Sequence, residues 1–222
     1  MDKQQWTEVD SYLVSLLAPS DNSLDRALTD STAAGLPEIN VAPNQGKLLQ
    51  LLATAHGSRR ILEIGTLGGY STIWLARALP SDGELISLEL EDKHAEVARS
   101  NIERAGHSSQ VSVRVGPAAA SLRELISEDV APFDFIFIDA DKQGYPEYFT
   151  LCLELAHPGT MIIADNVVRG GEVSNAASTD SMVQGVRAFL ELVGTEERVE
   201  ATAVQTVGSK GYDGFAVILV TR

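Results

Sequence analysis

The spacing of apolar residues changes along this chain, and the change predicts which segments are helices and which are strands. Near the N-terminus apolar residues recur every three or four positions, as at Trp6, Val9 and Leu13, which is the period of one helix face. Helices are therefore predicted over residues 4–18, 21–34 and 45–56. The first two stand outside the pattern that follows, so we expect them to cover the domain or to contact a second copy of the chain.

Beyond residue 60, short apolar runs alternate with helical patterns. The apolar runs predict strands over residues 60–65, 84–89, 110–115, 133–139 and 160–165. The segments between and after them predict helices over residues 71–79, 93–105, 118–127, 146–156 and 181–193. Strands that alternate with helices at this spacing pair in parallel, with right-handed crossovers. We therefore expect an α/β, doubly wound, Rossmann-like fold.

The end of the chain has a different pattern. Two β-rich runs, over residues 200–207 and 215–220, flank a turn that contains Gly208 and Gly211, which predicts an antiparallel hairpin. Residues 167–179 are polar and contain glycine, and we expect a mobile loop there. The predicted sheet is therefore mostly parallel and seven-stranded, with an antiparallel C-terminal hairpin.

Length and composition limit the possible functions. At 222 residues the chain is long enough for a single domain, which we divide into a helical cover over 1–35 and an α/β core over 36–222. Its formal net charge of −14 disfavours a nucleic acid as partner, because phosphate-tracking surfaces need clustered Lys and Arg. The apolar runs are too short to span a membrane. The single cysteine, Cys152, and the lack of a signal-peptide pattern favour a cytoplasmic location.

A glycine-rich turn follows the first predicted strand, and it indicates close approach of the backbone to a ligand. Gly65, Gly68 and Gly69 stand between that strand and a helix. The turn does not fit a dinucleotide site, because Leu67 replaces the second glycine of that motif. It does not fit a P-loop either, because no lysine follows the last glycine. Both phosphate-binding interpretations therefore fail.

Two acids near this turn indicate a different ligand. Glu63 lies at the end of the strand before the turn, where a carboxylate would repel a phosphate and attract a cation or an amine. Glu89 ends the next strand, where an acid binds ribose hydroxyls in doubly wound folds. An amine and a ribose without a phosphate indicate S-adenosylmethionine. The alternative is that both acids are solvated strand ends beside an ordinary tight turn.

A second group of polar residues follows two later strands. Asp139 comes after one apolar run, and Asp165 and Asn166 come after another, so all three should meet at one edge of a parallel sheet. Two carboxylates and an amide oxygen, without a nearby His or Cys, suit a hard cation such as Mg²⁺. Lys142, beside such a cation, suits a general base. The alternatives are strand-end acids that face water or cap helices, and a solvated lysine.

At these residues the chain resembles the cation-dependent O-methyltransferases, a family of class I S-adenosylmethionine-dependent methyltransferases that includes catechol and caffeoyl-CoA O-methyltransferases. The resemblance covers about residues 36–222, and its motifs occur in the family's order and spacing. The matching motifs are Glu63-Ile64-Gly65, Gly68-Gly69-Tyr70-Ser71, Gly116-Pro117-Ala118, Asp139-Ala140-Asp141-Lys142, Asp165-Asn166 and Tyr212-Asp213-Gly214.

The resemblance implies a donor site at the matched positions. The residues implied to bind S-adenosylmethionine are Val41, Glu63, Gly65, Thr66, Ser71, Glu89, Ala118 and Asp139. In this assignment Ser71 binds the carboxylate of the donor, Glu89 binds its ribose, and Ala118 flanks its adenine. Val41, Glu63 and the backbone of Gly65 and Thr66 contact the methionine part.

The resemblance also implies a metal site and a base. Asp139, Asp165 and Asn166 match the ligands of Mg²⁺, with Mn²⁺ or Ca²⁺ as substitutes. Lys142 matches the family's proposed base, and Asp139 joins it as a catalytic residue. Arg169 departs from the family, since many relatives carry Trp there. It could pair with a carboxylate of the substrate, or it could be an exposed loop arginine without a role.

We therefore expect a metal-dependent O-methyltransferase that acts on a small, catechol-like phenol with two vicinal hydroxyls. A CoA ester is disfavoured, because the first 40 residues offer only Lys3 and Arg26 to bind its phosphates. Two alternatives stay open: methylation of a hydroxylated uridine in tRNA, and a module that binds S-adenosylmethionine or metal without catalysis. The resemblance also implies a homodimer formed through the N-terminal helices.

Overall fold

The computed structural model describes residues 3–222, which form one seven-stranded sheet with helices packed on both faces. The strands are β1 Arg60–Ile64, β2 Glu84–Glu89, β3 Val111–Val115, β4 Phe133–Ile138, β5 Ala156–Asp165, β6 Val199–Gly208 and β7 Gly211–Val220. The helices are α1 Lys3–Leu17, α2 Asn22–Ala33, α3 Pro43–His56, α4 Tyr70–Ala76, α5 Asp92–Arg104, α6 Ala118–Ser127, α7 Tyr145–Glu154 and α8 Ser181–Thr195. Two short 3-10 helices are Lys142–Gly144 and Arg169–Ser174.

The strand order is β3-β2-β1-β4-β5-β7-β6, and it confirms the predicted doubly wound fold. Strands β1 to β5 pair in parallel, while β7 pairs antiparallel with both β5 and β6. The chain runs outward from β1 to β3 and then returns to place β4 on the other side of β1. This reversal opens a crevice at the carboxyl ends of β1 and β4, which is where doubly wound sheets bind ligands.

Alternate side chains of the central strands enter two separate cores. In β4, Phe135 and Phe137 face the core formed with α3, α4 and α5, whereas Ile136 and Ile138 face the core formed with α6, α7 and α8. All four are fully buried. Because both faces of this strand are covered, its second half is continuously apolar. The next residue along the chain, Asp139, is the first that reaches the crevice.

The two N-terminal helices cover the sheet unequally. Helix α2 is capped by Asp21, whose side chain accepts the N–H groups of Ser23 and Leu24, and it packs against α4 and α5. Helix α1 lies beside α3 and β6, and the buried residue in it is Asp10, which accepts hydrogen bonds from the Asn44 amide and the Ser209 N–H. Helix α1 is thus attached by polar contacts, and it leaves apolar side chains exposed. These are Val9, Tyr12, Leu13, Leu16 and Leu17.

Several predicted boundaries were wrong. The helix expected over 71–79 ends at Ala76, and the strand expected over 215–220 already begins at Gly211. Ala156 was expected to end a helix but is the first residue of β5, where the pairing with β4 shifts register between Phe133 and Phe135. The segment 167–179, expected to be a loop throughout, contains the 3-10 helix Arg169–Ser174. In the part of the chain that the structure describes, no helix is both long enough and apolar enough to cross a membrane.

Candidate active site

A cavity of about 920 Å³ opens at the crevice between β1 and β4. Its walls come from the glycine turn after β1, the end of β2, the start of α6 and the segments that follow β4 and β5. Ligand cavities commonly span about 300–1,000 Å³, so this one has room for more than one small molecule. The predicted site residues in its wall are Val41, Gly65, Thr66, Ser71, Glu89, Ala118, Asp139, Lys142 and Asn166.

The glycine turn brings backbone to the cavity without side chains in between. Gly65 has a φ of +101°, and a Cβ there would lie 2.1 Å from the main-chain oxygen of Asp139. Only glycine therefore allows β1 and β4 to end so close together. The Leu67 N–H donates to Glu89 Oε2 at 2.7 Å, and the Glu91 N–H donates to Oε1 at 3.0 Å. Glu89 thus orders the turn from its place in the cavity wall.

Glu63 lies elsewhere than the sequence indicated. Its side chain is fully buried behind the turn and does not line the cavity. Its carboxylate accepts hydrogen bonds from the hydroxyls of Ser71, Thr72 and Ser87. Burial raises the pKa of Glu63 to about 7, although these hydroxyl donors favour its charged form. In the structure Glu63 therefore fixes Ser71 and α4, and a direct contact between Glu63 and a donor stays a prediction.

The other residues assigned to the donor surround the turn. The Thr66 hydroxyl shares a hydrogen bond of 2.6 Å with Ser87, which also donates to Glu63. Val41 is buried in the loop before α3, and Ala118 is the first residue of α6. The fold thus brings these positions together around one end of the cavity, and their individual contacts with a donor stay predictions.

An acid–lysine cluster lies on the other side of the cavity. Asp139 directly follows β4 and lines the cavity. Asp165, the last residue of β5, is only 5% exposed and lies behind the wall rather than in it. Burial raises the pKa of Asp165 to about 7, and the nearby charge of Asp139 adds to the rise. The Lys142 amine donates to Asp139 Oδ1 at 2.9 Å. The two carboxylates therefore lie within each other's field, and Lys142 balances part of their charge.

Tyr145 supports this cluster and was not predicted to do so. Its hydroxyl accepts a hydrogen bond from Lys142 Nζ at 2.7 Å, and it lies 3.0 Å from the main-chain oxygens of Ile138 and Asp165. Burial raises the pKa of Tyr145 well above its ordinary value, so the hydroxyl keeps its proton. The sequence signal was a tyrosine three residues after the lysine, and that spacing is too common to be informative.

The loop after β5 is fixed by an acid from the C-terminal hairpin. Asn166 has a φ of 55°, and its N–H donates to Asp165 Oδ1 at 2.8 Å. Asp213 Oδ1 accepts the N–H groups of Val168 at 3.0 Å and Arg169 at 2.9 Å. Left-handed backbone costs energy in residues that carry a Cβ, so these hydrogen bonds stabilise a conformation that is otherwise unfavourable. As a result Asn166 and Arg169 both line the cavity.

The chemistry of this cluster fits a hard divalent cation. Asp139, Asp165 and Asn166 offer carboxylate and amide oxygens after neighbouring strands. A cation between the two carboxylates would relieve the repulsion that opposes their joint ionisation. Within residues 3–222 no three His, Cys, Asp or Glu side chains converge as a metal site, so the amide of Asn166 is needed as the third protein donor.

The fold and the site together define a class of enzyme. A doubly wound sheet whose glycine turn lacks both phosphate motifs, with an acid at the end of β2, is the arrangement expected of a methyltransferase that uses S-adenosylmethionine. The acid–lysine cluster beside the turn offers a place for proton transfer. A family model described as O-methyltransferase matches residues 18–217, and the chain belongs to that family.

Named and solved relatives resemble the chain over its whole length. It is 51% identical over 220 residues to a catechol O-methyltransferase from Niastella koreensis, with 99% of this chain and 100% of the relative covered. An O-methyltransferase from Bacillus cereus, solved in complex with SAH, is 56% identical with a TM-score of 0.98, covering 99% and 100% of the two chains. TomG from Streptomyces achromogenes, involved in tomaymycin synthesis and solved with SAM, is 48% identical with a TM-score of 0.97, covering 100% of both chains.

These comparisons confirm the predicted family, fold and enzyme class. The chain is an S-adenosylmethionine-dependent O-methyltransferase, which excludes a binding module without catalysis. The metal, the methyl acceptor, the cytoplasmic location and the roles of individual site residues stay predictions.

Proposed function

We propose that this enzyme transfers the methyl group of S-adenosylmethionine to one hydroxyl of a small catechol-like phenol, with a divalent cation held by Asp139, Asp165 and Asn166. The observation that carries the proposal is Asp139, which lines the same cavity as the glycine turn, pairs with Lys142 and lies within the field of the buried Asp165. The likeness to a catechol O-methyltransferase over 99% of this chain supports the acceptor class.

In this proposal, several residues on the donor side of the cavity each bind a different part of S-adenosylmethionine. The Glu89 carboxylate, already placed in the wall by its bonds to the turn, binds the ribose hydroxyls. The backbone of Gly65 and Thr66, together with Val41, contacts the methionine part. Ser71 binds its carboxylate, and the first residue of α6 flanks the adenine. The close approach of backbone at the turn is what brings the methyl group next to the acid–lysine cluster.

The acceptor side provides the proton transfer. Asp139, Asp165 and Asn166 would hold a divalent cation, which would supply Lewis acidity and so lower the pKa of a phenol hydroxyl bound at the cluster. The step needs Lys142 as the neutral amine, which can donate to both Asp139 and Tyr145 and still has a lone pair. That lone pair takes the proton of the reacting hydroxyl, and Tyr145 holds the amine in place for the transfer. The oxygen then attacks the methyl carbon, and the donor leaves as a neutral thioether. General-base catalysis of this kind contributes about 10²- to 10⁴-fold to the rate.

In this proposal, most of the rate enhancement comes from holding the donor and the acceptor in the correct orientation. The residues that hold the acceptor stand at or just after the ends of β4 and β5, and Gly65, Thr66 and Glu89 stand at or just after the ends of β1 and β2. The other donor residues, Val41, Ser71 and Ala118, lie in a loop or at the start of a helix. Much of the site therefore rests on rigid strand ends. Well-oriented reactants reach effective molarities of about 10⁵–10⁸ M. We therefore expect substitutions that loosen these strand ends to lower kcat more than they weaken binding.

A methyl-transfer screen tests the proposal. Purified enzyme is incubated with labelled S-adenosylmethionine, a panel of catechols and their monohydroxy counterparts, and either Mg²⁺, Mn²⁺, Ca²⁺ or a chelator. We expect transfer to the vicinal dihydroxy compounds, little transfer to the monohydroxy ones, and loss of turnover in chelator. Equal rates with and without chelator would contradict the role of the metal. Transfer to none of the catechols would contradict the acceptor class.

The cavity disfavours the tRNA alternative. Four acids line it, Glu38, Glu89, Asp139 and Asp141, and their carboxylates would repel a phosphate backbone. Of the three lysine and arginine residues in the wall, Lys142, Arg169 and Lys210, the first is already paired with Asp139. The formal net charge of −14 would also repel a nucleic acid at longer range. A small acceptor with few negative charges fits this cavity better than a polyanion.

We also infer that the enzyme forms a homodimer through α1. Val9, Tyr12, Leu16 and Leu17 recur at helical spacing and are 51%, 66%, 60% and 68% exposed. Contiguous exposed apolar faces mark association sites. The exposed edge strand β6 lies beside the apolar face of α1. Light scattering should give the mass of a dimer for the wild type and of a monomer for Leu16→Glu. A monomeric wild type would contradict the inference.

A further inference from the structure

Arg169 lies in the cavity wall, and no residue in the described part of the chain forms an ion pair with it. It follows Asn166 by three residues and lines the same cavity as Lys142. Its Nε is buried without a hydrogen-bond acceptor, and its Nη2 lies 4.0 Å from the sulfur of Met182, which is a weak acceptor. Within residues 3–222 no carboxylate lies within ion-pair distance of its guanidinium.

The backbone of Arg169 has an energetically unfavourable conformation. Its φ is 55°, in the left-handed region that residues with a Cβ rarely adopt. Its N–H donates to Asp213 Oδ1 at 2.9 Å, and this acid also accepts the N–H of Val168. A glycine would adopt the same conformation with less strain. The local backbone therefore gives no reason for an arginine, and the reason must lie in its side chain.

The nearby acids do not explain the side chain either. Arg169 lines the same cavity as Asp139 and Asp141. Lys142, however, is the side chain that forms the ion pair with Asp139, at 2.9 Å. The donors of Arg169 therefore stay available to a ligand in the cavity.

We propose that Arg169 binds a carboxylate of the methyl acceptor, so that the preferred acceptor is a vicinal dihydroxy aromatic acid. The inference rests on the proposed function, because it places the two hydroxyls of the acceptor at Asp139, Asp165 and Asn166. A planar guanidinium matches a carboxylate with two parallel N–H···O hydrogen bonds. Acids such as Asp141 also line the cavity, so an anionic acceptor needs this arginine to offset their repulsion.

Two acceptors that differ in charge at one substituent test this inference. The compounds 3,4-dihydroxybenzoate and 3,4-dihydroxybenzamide share the ring and both hydroxyls. The wild type should prefer the acid in kcat/KM. Arg169→Gln should lose about 10- to 100-fold on the acid, mainly through KM, with little change on the amide. Calorimetric titration of the SAH-loaded enzyme with each compound should show the same selective loss in Kd, independently of turnover.

Arg187→Gln is the matched control for this experiment. Arg187 donates to the main-chain oxygen of Val173 in the same loop, and its guanidinium lies 3.8 Å from Glu191, but it does not line the cavity. The control removes the same charge and loosens the same loop. It should therefore keep the wild-type ratio of acid to amide.

Several results would overturn the inference. The wild type could use acid and amide equally, Arg169→Gln could lose activity equally on both, or Arg187→Gln could lower the ratio as much as Arg169→Gln does. Each would show that Arg169 supports the loop or the acid cluster and does not select the acceptor. Methylation of neither compound by the wild type would contradict the proposed function itself, and this inference would fall with it.

Discussion

Lys142 Nζ lies 2.7 Å from the hydroxyl oxygen of Tyr145. Through this hydrogen bond the lysine is connected to the ends of β4 and β5, where Asp139 and Asp165 stand. The same hydroxyl is 3.0 Å from the main-chain oxygens of Ile138, in β4, and of Asp165, in β5. The three contacts fix where the amine stands relative to the two carboxylates. Tyr145 is therefore a positioning residue for the proposed base.

Tyr145→Phe should lower kcat about tenfold or more and change the shape of the pH–rate profile, because Lys142 loses one of its two hydrogen bonds. The phenylalanine ring keeps the edge contact with Phe189, now 5.5 Å between centroids, so the core stays filled. Loss of the hydroxyl should also reduce the free energy of unfolding by about 1–3 kcal/mol. Kinetics, SAH titration and denaturation measure these effects, and an unchanged kcat and pH profile would show that Lys142 acts without Tyr145.

Glu63→Gln should change how stability depends on pH. The pKa of Glu63 in the folded protein, about 7, exceeds its ordinary value of 4.5, so the folded state holds this proton more tightly than the unfolded state. The wild type should therefore lose stability relative to the variant as pH rises from about 4.5 to about 7. One pKa unit corresponds to about 1.4 kcal/mol. Denaturation of both ligand-free proteins between about pH 5 and pH 8 measures the difference, and parallel curves would refute it.

Gly65→Ala should weaken SAH binding more than tenfold, because its Cβ would lie 2.1 Å from the main-chain oxygen of Asp139 and would force β1 and β4 apart. Gly57→Ala is the matched control. Gly57 also has a positive φ, +74°, yet nothing lies within 4 Å of an added Cβ there. The control should lose about 1–2 kcal/mol of stability from the left-handed alanine and keep its SAH affinity. Equal SAH affinity in the two variants would show that the close approach at the turn does not matter for donor binding.

The position of the site could be predicted because parallel strands are buried on both faces. Residues 135–138 are apolar for that reason, and the first acid after them must then lie at the carboxyl edge of the sheet. Asp165 and Glu89 could be placed at the same edge because each also stands at the end of a buried strand. The turn around Gly65 was predictable because only glycine permits backbone to approach backbone so closely.

The rest of the site depends on residues that meet only after folding. Glu63 is buried among hydroxyls that include Ser87, which is 24 positions away, so the sequence around the turn gave no sign of its burial. Asp213 reaches the loop that contains Arg169 from 44 positions away, across the hairpin. Tyr145 has the ordinary spacing of a helix residue. Such contacts follow from strand order and register, which single-sequence patterns do not specify.

The binding of a divalent cation by Asp139, Asp165 and Asn166 is tested most directly by titrating the SAH-loaded enzyme with Mn²⁺ and following the free ion by electron paramagnetic resonance. The wild type should bind one ion per chain in competition with Mg²⁺, and Asp165→Asn should weaken that binding at least about tenfold and lose turnover. Asp141→Asn is the control, because Asp141 accepts hydrogen bonds from the Gly144 N–H and the Tyr148 hydroxyl, and it should bind the ion as the wild type does. A wild type that binds no Mn²⁺, or an Asp165→Asn variant that binds it as tightly as the wild type, would contradict the proposed mechanism.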